Sequence, residues 1–186
     1  MSNAPQPGDP GRDVYLAEGN AKQARKRVVA DALIRNDQGH VLLVDPAYKE
    51  GWDLPGGMAE ANEEPLDTVA RELREELGLG ADCVQMRGLL CVDWVGPHGP
   101  WDDLLAFVFD GGVLPNDRVE KLSIKDDELN GFRFFAPEEA LRLLPKRQRA
   151  RATQALIALG DGIPRYLRDG VPAWNSSETP TGWQRT

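Results

Sequence analysis

Cysteine and histidine are scarce: this chain of 186 residues has two of each. Cys83 and Cys91 form no CxxC pair and have no histidine at the spacing of a zinc site, which disfavours a zinc-dependent function. One disulfide would add little to a chain of this length. We therefore expect two reduced thiols and a cytoplasmic protein.

Long apolar runs are absent as well. None approaches the roughly 18–20 residues of a membrane span, and no apolar stretch typical of a signal peptide follows the N-terminus. We expect no membrane association. A basic excess is also lacking, because the net charge is −8, which disfavours a general nucleic-acid-binding protein. A phosphate substrate remains compatible with this charge, since a bound divalent cation inverts the local sign.

The length suits one compact domain with additional segments at its ends. Residues 1–22 contain repeated prolines and glycines with few apolar side chains, which predicts a flexible N-terminal segment. Residues 23–162 are expected to form the folded domain, and residues 163–186 a C-terminal tail.

Apolar, β-branched runs at 28–34 and 41–44 predict two strands, joined by a hairpin turn at 36–39. Together with the later segments they predict an α/β fold with a mixed sheet and helices on both sides. The later segments are a short strand from residue 52 that ends in the turn Pro55-Gly56-Gly57, strands at 83–95, 104–109 and 132–135, a polar loop at 111–128, and helices at 137–144 and 148–159.

Segment 57–79 is the most informative part of the chain. Its apolar residues recur at helical spacing, Pro65 suits a first helical turn, and Gly78 suits a C-terminal stop. Glu72, Glu75 and Glu76 then lie on one face, where they repel one another unless a positive charge lies among them. A solvated acidic face moderated by nearby arginines is one interpretation. A Mg²⁺ ion held by carboxylate oxygens is the other, and it predicts a protein that handles phosphates.

The same segment matches the Nudix pattern, in which a glycine, a glutamate, an Arg-Glu-apolar triplet, a glutamate pair and a Gly-apolar pair recur at fixed spacing. The matching residues are Gly57, Glu63, Arg71, Glu72, Leu73, Glu75, Glu76, Gly78 and Leu79. The chain therefore resembles the Nudix hydrolases. This resemblance implies an α/β/α sandwich in which the segment forms a loop-helix-loop beside the sheet.

The resemblance also implies roles for individual residues. Similar enzymes use Glu72, Glu75 and Glu76 to hold one to three Mg²⁺ or Mn²⁺ ions, and the carbonyl of Gly56 can ligate a metal ion. Glu63 would help to fix the segment, and Arg71 would orient one of its carboxylates. Many relatives have glycine where this chain has Asn62, a residue that tolerates the left-handed conformation better than most.

A general base for the attacking water would come from the segment itself or from a glutamate in a later loop. Four acidic residues of that loop are alternatives that the sequence does not separate: Glu120, Asp126, Asp127 and Glu128. Trp52, Trp94 and Trp101 are candidates for stacking on a base, although core packing is the favoured explanation for any one of them. His40 and His98 are expected to be near solvent.

The predicted function is Mg²⁺-dependent hydrolysis of a phosphoanhydride bond. The substrate would be a small nucleotide: a nucleoside diphosphate linked to another moiety, of the ADP-ribose or nucleotide-sugar type, or a (d)NTP. The alternative is a non-catalytic Nudix-fold sensor of a nucleotide metabolite. The sequence leaves a homodimer open. It also leaves open whether the basic segment 142–151 is a solvated helix face or contacts phosphate or a partner.

Overall fold

A computed structural model describes residues 4–80, 83–125 and 127–174 of the chain. The elements, in chain order, are α1 (Arg12–Ala21), β1 (Arg27–Asn36), β2 (Val41–Pro46), β3 (Gly56–Met58), α2 (Pro65–Leu77), β4 (Gly88–Val95), β5 (Leu104–Leu114), α3 (Asn116–Val119), β6 (Leu129–Phe135), α4 (Pro137–Leu143), α5 (Lys146–Asp161), β7 (Arg165–Arg168) and β8 (Val171–Pro172).

The strands form one mixed sheet in the order β6-β2-β1-β5-β4-β7-β8, and β3 pairs with β1. Strand β1 is parallel to β5 and antiparallel to β2 and β3. Strand β4 is antiparallel to β5 and parallel to β7. The predicted hairpin between β1 and β2 is present, with the amide of Gly39 donating to the carbonyl of Asn36 at 2.8 Å.

Helices cover both faces of this sheet. Successive side chains of a strand point to opposite faces, so Ala30, Ala32 and Ile34 of β1 pack with α2, whereas Leu33 packs on the face of α4 and α5. Each face has its own buried apolar cluster. The arrangement confirms the predicted α/β class and the α/β/α sandwich.

The two ends of the chain contain more regular structure than the sequence analysis assigned to them. Within the segment predicted to be flexible, residues 12–21 form α1, and none of its residues is buried. Within the predicted tail, β7 and β8 extend the sheet, and Leu167 of β7 is fully buried. Residues 175–186, including Trp183, lie outside the described part of the chain.

Three internal boundaries also differ from the sequence analysis. Gly56 and Gly57 begin β3, whereas a turn was predicted there. Strand β4 begins at Gly88 and not at residue 83. Strand β5 continues through Gly111 and Gly112 to Leu114, where a loop was predicted, because the pairing with β1 contains a bulge at this point.

Most of the basic segment 142–151 faces solvent, since Arg142, Lys146, Arg147 and Arg149 are exposed and Arg151 is buried. Arg149 donates to the carbonyls of Arg142 and Leu144 and so satisfies the C-terminal end of α4. Arg151 is buried and pairs with two carboxylates, at 3.1 Å to Asp93 and 3.5 Å to Asp31. Arg149 therefore joins α5 to the end of α4, and Arg151 joins α5 to strands of the sheet.

Across residues 4–80, 83–125 and 127–174, the helices fall short of the length and apolar character that crossing a bilayer requires.

Candidate active site

Helix α2 carries most of the predicted site residues, and its ends match the local sequence signals. Pro65 occupies the first turn, where its missing N–H costs nothing. Gly78 ends the helix in the left-handed conformation, with φ 68°. The buried residues of α2 include Val69, Leu73 and Leu77, which fix the rotation of the helix on the sheet. That rotation determines which glutamates approach β3.

Glu72 lies directly against the backbone of β3. A Cβ atom added to Gly57 would overlap the Oε1 atom of Glu72 and lie 2.6 Å from its Cδ atom. Gly56 is similarly close to β1, since a Cβ atom there would lie 2.7 Å from the Cα atom of Asp31. Gly56 also has φ 141°, a conformation that L side chains rarely adopt. The two glycines therefore allow the carboxylate, the β3 backbone and the sheet to approach one another.

Arg71 joins the glutamates of the segment. Its Nε atom donates to Glu63 at 2.8 Å, and Nη2 donates to Glu63 and to the carbonyl of Met58, both at 3.0 Å. Its Nη1 atom donates to Glu72 and to Glu75, also at 3.0 Å each. One guanidinium thus connects the loop before α2, the end of β3 and two carboxylates of the helix.

Glu63 is held by a dense set of donors. Besides Arg71, the amide of Glu60 and the hydroxyl of Thr68 donate to it, at 2.9 and 3.0 Å. The Arg71 hydrogen bonds, followed by that amide, lower the pKa of Glu63 from 4.5 to about 2. The same contacts raise the pKa of Arg71. Glu63 is therefore an ionised anchor for the loop, and Asn62 beside it has φ 64°.

The three helix glutamates differ in exposure. The side chain of Glu75 is 49% exposed, whereas Glu76 is only 8% exposed and faces the sheet. Burial raises the pKa of Glu72, the Arg71 guanidinium opposes that rise, and the negative charges of Glu75 and Glu128 add to it. A divalent cation beside Glu72 would favour its ionised form.

The loop after α3 runs beside the C-terminal end of α2. Its Lys125 amide donates to the carbonyl of Glu76 at 3.0 Å, and its Ser123 amide is 3.4 Å from the carbonyl of Leu77. Glu128, one of the candidate general bases, contributes a negative charge that acts on Glu72. Glu120 follows α3, and the side chains of Glu120, Asp127 and Glu128 are all exposed. Asp126 lies outside the described residues.

A family model for the NUDIX domain matches residues 25–156. The chain belongs to the Nudix hydrolase family. The predicted resemblance and the predicted class of enzyme are both confirmed by this match.

Individual relatives agree with the family. The Nudix chain is 38% identical over 135 residues to a MutT-like protein from Streptomyces ambofaciens, spanning 73% of this chain and 79% of that protein. It is 46% identical to an RNA pyrophosphohydrolase from Halorhodospira halophila over 56 residues, which are 30% of this chain and 31% of that protein. The crystal structure of a MutT protein from Methanosarcina mazei Go1 covers 74% of this chain and 99% of its own, with 25% identity and a TM-score of 0.60.

Nudix hydrolases generally use divalent metals, and the donors in this Nudix site suit one. Carboxylates and a backbone carbonyl are hard oxygen ligands of the kind that Mg²⁺ prefers. In the described part of the chain, however, no three Asp, Glu, His or Cys side chains are already gathered around one point. Arg71 lies between Glu72 and Glu75 instead. For Glu75, the more exposed glutamate, to join an ion beside Glu72, it would have to turn away from Arg71.

Two groups near the Nudix site were missed by the sequence analysis. The loop between β2 and β3 carries Tyr48 and Lys49, and Lys49 forms an ion pair with the buried Asp53. On the far face of the sheet, burial raises the pKa of Asp31 to about 7 despite the nearby Arg151. Neither group has a signal in the sequence, since isolated charges and aromatics are common in loops and strands.

The tryptophans and histidines have varied surroundings. Trp52 packs edge-on against Phe135, with ring centroids 4.9 Å apart. Trp94 is partly buried and donates to Asp103, whereas Trp101 is 56% exposed beneath the guanidinium of Arg27. His40 and His98 are half-buried. The ring of His98 contacts the carbonyl of Gly96, and the described contacts do not connect either histidine to the helix glutamates.

Proposed function

We propose that this Nudix hydrolase is a Mg²⁺- or Mn²⁺-dependent pyrophosphohydrolase. It cleaves a phosphoanhydride bond in a nucleoside diphosphate linked to another moiety, such as ADP-ribose or a nucleotide sugar, or in a (d)NTP. The observation that carries the proposal is the position of Glu72 against Gly57, with the buried Glu76 one turn further along the same helix. This arrangement places one carboxylate against the backbone of β3 and a second one on the next turn of the same helix.

Glu72, Glu76 and the carbonyl of Gly56 would hold the ion, and Glu75 would join them after turning from Arg71. When bound, the ion supplies neutralisation of the diphosphate charge and activation of water. The chain supplies orientation: Arg71 and Glu63 tie the loop, β3 and α2 together, so the donor atoms stay in register. Small displacements of such groups cost large factors in rate.

Glu128 is our choice for the general base. It precedes β6 in a loop that hydrogen-bonds to the end of α2, and its charge acts on Glu72. A carboxylate there would accept the proton of a water that attacks a diphosphate in the site. Glu120 and Asp127 remain the alternatives within the described loop.

Substrate identity is tested by a phosphate-release screen with Mg²⁺ and with Mn²⁺. The screen includes ADP-ribose, nucleotide sugars, dinucleoside polyphosphates and (d)NTPs. A short RNA with a 5′-triphosphate is added because one relative is named an RNA pyrophosphohydrolase, although the match to it spans only 56 residues. We expect turnover of at least one small nucleotide and none in EDTA. Equal turnover in EDTA would contradict the proposal.

A non-catalytic nucleotide sensor is the competing function. The retention of Glu72, Glu75 and Glu76 together favours the enzyme, because a binding module has no need of all three. The two functions separate in one experiment, in which binding and hydrolysis of the same nucleotide are measured. Saturable binding without any hydrolysis in Mg²⁺ or Mn²⁺, across all the substrates in the screen, would establish the sensor.

A further inference from the structure

An exposed aromatic side chain lies beside the acidic site. Tyr48 is 71% exposed, in the loop that joins β2 to β3. The neighbouring Ala47 amide donates to the carbonyl of Glu128 at 2.7 Å, so this loop lies next to the one that carries our general base. The charges of Glu76 and Glu128 both act on the Tyr48 hydroxyl. The loop that carries Tyr48 is thus hydrogen-bonded to the loop that packs against the end of α2, which places the ring beside the site.

A cation is fixed at the same place. The ammonium of Lys49 lies 5.6 Å from the centre of the Tyr48 ring and pairs with Asp53. Asp53 is buried, and its backbone pairs with Val44 through two hydrogen bonds of 2.9 Å, which gives this carboxylate a fixed position. The Lys49 side chain remains 38% exposed. Because an ammonium has three donors, Lys49 can keep Asp53 and still bind a second anion.

We propose that Tyr48 and Lys49 form the substrate-binding edge of this site, with Lys49 pairing with a phosphate oxygen and the Tyr48 ring packing against the nucleobase. The assignment rests on the proposed function for its choice of ligand, a nucleoside diphosphate. Two features carry it. A cation is needed where several carboxylates would otherwise repel a polyphosphate, and an exposed ring beside that cation offers a flat apolar surface to a base.

Partial desolvation of the Tyr48 hydroxyl raises its pKa, the Lys49 ammonium opposes that rise, and the charges of Asp53, Glu76 and Glu128 add to it, so the phenol stays neutral. A neutral ring beside an ammonium is suited to stacking and does not repel phosphate. The hydroxyl itself is then dispensable, whereas the ring is required. This distinction separates Tyr48→Phe from Tyr48→Ala.

Two binding probes test the assignment without requiring turnover. The affinities of ADP and of inorganic pyrophosphate are measured by calorimetry in Mg²⁺. For Tyr48→Ala we expect ADP to bind about tenfold more weakly, with pyrophosphate within about twofold of the wild type because it lacks a base. Tyr48→Phe should bind both probes as the wild type does. Equal weakening of both probes, or of neither, by Tyr48→Ala would overturn the role of the ring.

Lys49 is tested in the same way. Lys49→Met should weaken both probes by about tenfold, and Lys49→Arg should restore most of the loss. Lys49→Met leaves Asp53 buried without its ion pair and could lower stability, so the double variant Lys49→Met with Asp53→Asn is measured as well. We expect it to bind as weakly as the single variant. Wild-type affinity in the double variant would overturn the role of Lys49.

Trp174→Ala is the matched control for the ring. Trp174 is also an exposed aromatic, at 55%, but it follows β8 and stacks on Tyr166 of β7, at the opposite edge of the sheet from β2. It should leave the affinity for ADP unchanged. If the screen finds no hydrolysis while the Tyr48 and Lys49 variants behave as expected, the binding edge stands and the proposed catalytic function fails. If the screen finds hydrolysis but the Tyr48 and Lys49 variants bind both probes as the wild type does, the catalytic function stands and the binding edge fails.

Discussion

At the scale of single residues, the site depends on close approach and on one arginine. Glu72 can reach β3 only because Gly57 has no side chain, and Arg71 then ties Glu72 to Glu63 and Glu75. The spacing of residues in segment 57–79 predicted which side chains would belong to the site. It did not indicate that Arg71 would contact all three carboxylates at once, because that requires the loop and the helix to be folded together.

Gly57→Ala should affect the chemistry more than the fold. The added Cβ would overlap Glu72 and push its carboxylate from β3, so we expect turnover to fall on the order of 100-fold. Gly131→Ala is the control, since a Cβ atom at Gly131 in β6 would meet no atom within 4 Å. Circular dichroism should show both variants folded. Near-normal turnover in Gly57→Ala would contradict the placement of Glu72.

Glu63 gives a prediction in pH. Its pKa falls from 4.5 to about 2 on folding, so its ion pair stabilises the protein fully above about pH 4.5 and is lost as the pH falls toward 2. Denaturation of the wild type and of Glu63→Gln should therefore show the largest stability difference at neutral pH. The difference should shrink between pH 4.5 and 2. A difference that does not depend on pH would mean that Glu63 acts through its shape alone.

At the scale of elements, sequence signals succeeded where structure is local. Helix α2 begins at Pro65 and is capped by Gly78 as predicted, because proline, glycine and the apolar stripe act within a few residues. They failed where pairing decides the structure. Gly111 and Gly112 predicted the start of a loop, yet Gly111 is packed against Ile34, where an added Cβ would lie 2.5 Å from its Cγ1 atom. Strand β7 likewise depends on β4, more than 70 residues earlier.

The turn before α2 can be tested at Asn62. Its φ of 64° lies in the left-handed region, which glycine adopts freely and β-branched residues avoid. Asn62→Gly should leave the free energy of unfolding within about 0.5 kcal/mol of the wild type. Asn62→Val should lower it by about 1–2 kcal/mol. Chemical denaturation measures both, and equal stability of the two variants would show that the turn is not strained.

At the scale of the whole molecule, a buried ionic cluster links helix α5 to the sheet and to the turn between β7 and β8. Arg151 of α5 pairs with Asp31 of β1 and Asp93 of β4, and Asp93 also accepts a hydrogen bond of 3.0 Å from the amide of Gly170, between β7 and β8. No sequence pattern predicted this cluster, because its three charged residues are about 60 residues or more apart in sequence. It connects the core to the strands that were predicted to be a tail.

Removal of Arg151 should therefore destabilise the entire protein. Arg151→Met leaves two buried carboxylates without their cation, which should lower the free energy of unfolding by about 3–5 kcal/mol. Arg147→Met, an exposed neighbour in the same helix, is the control and should change stability by less than about 0.5 kcal/mol. If Arg151→Met is as stable as the control, the cluster contributes nothing to the docking of α5.

The central claim is that Glu72 and Glu76 bind the divalent cation on which phosphoanhydride cleavage depends. Its most direct test is the rate of hydrolysis as a function of Mg²⁺ concentration, in the wild type and in Glu76→Gln. We predict that wild-type turnover rises from zero in EDTA to saturation, and that Glu76→Gln remains folded but is slower on the order of 100-fold. Wild-type turnover that is independent of Mg²⁺, or a Glu76→Gln variant with a near-normal rate, would contradict the claim.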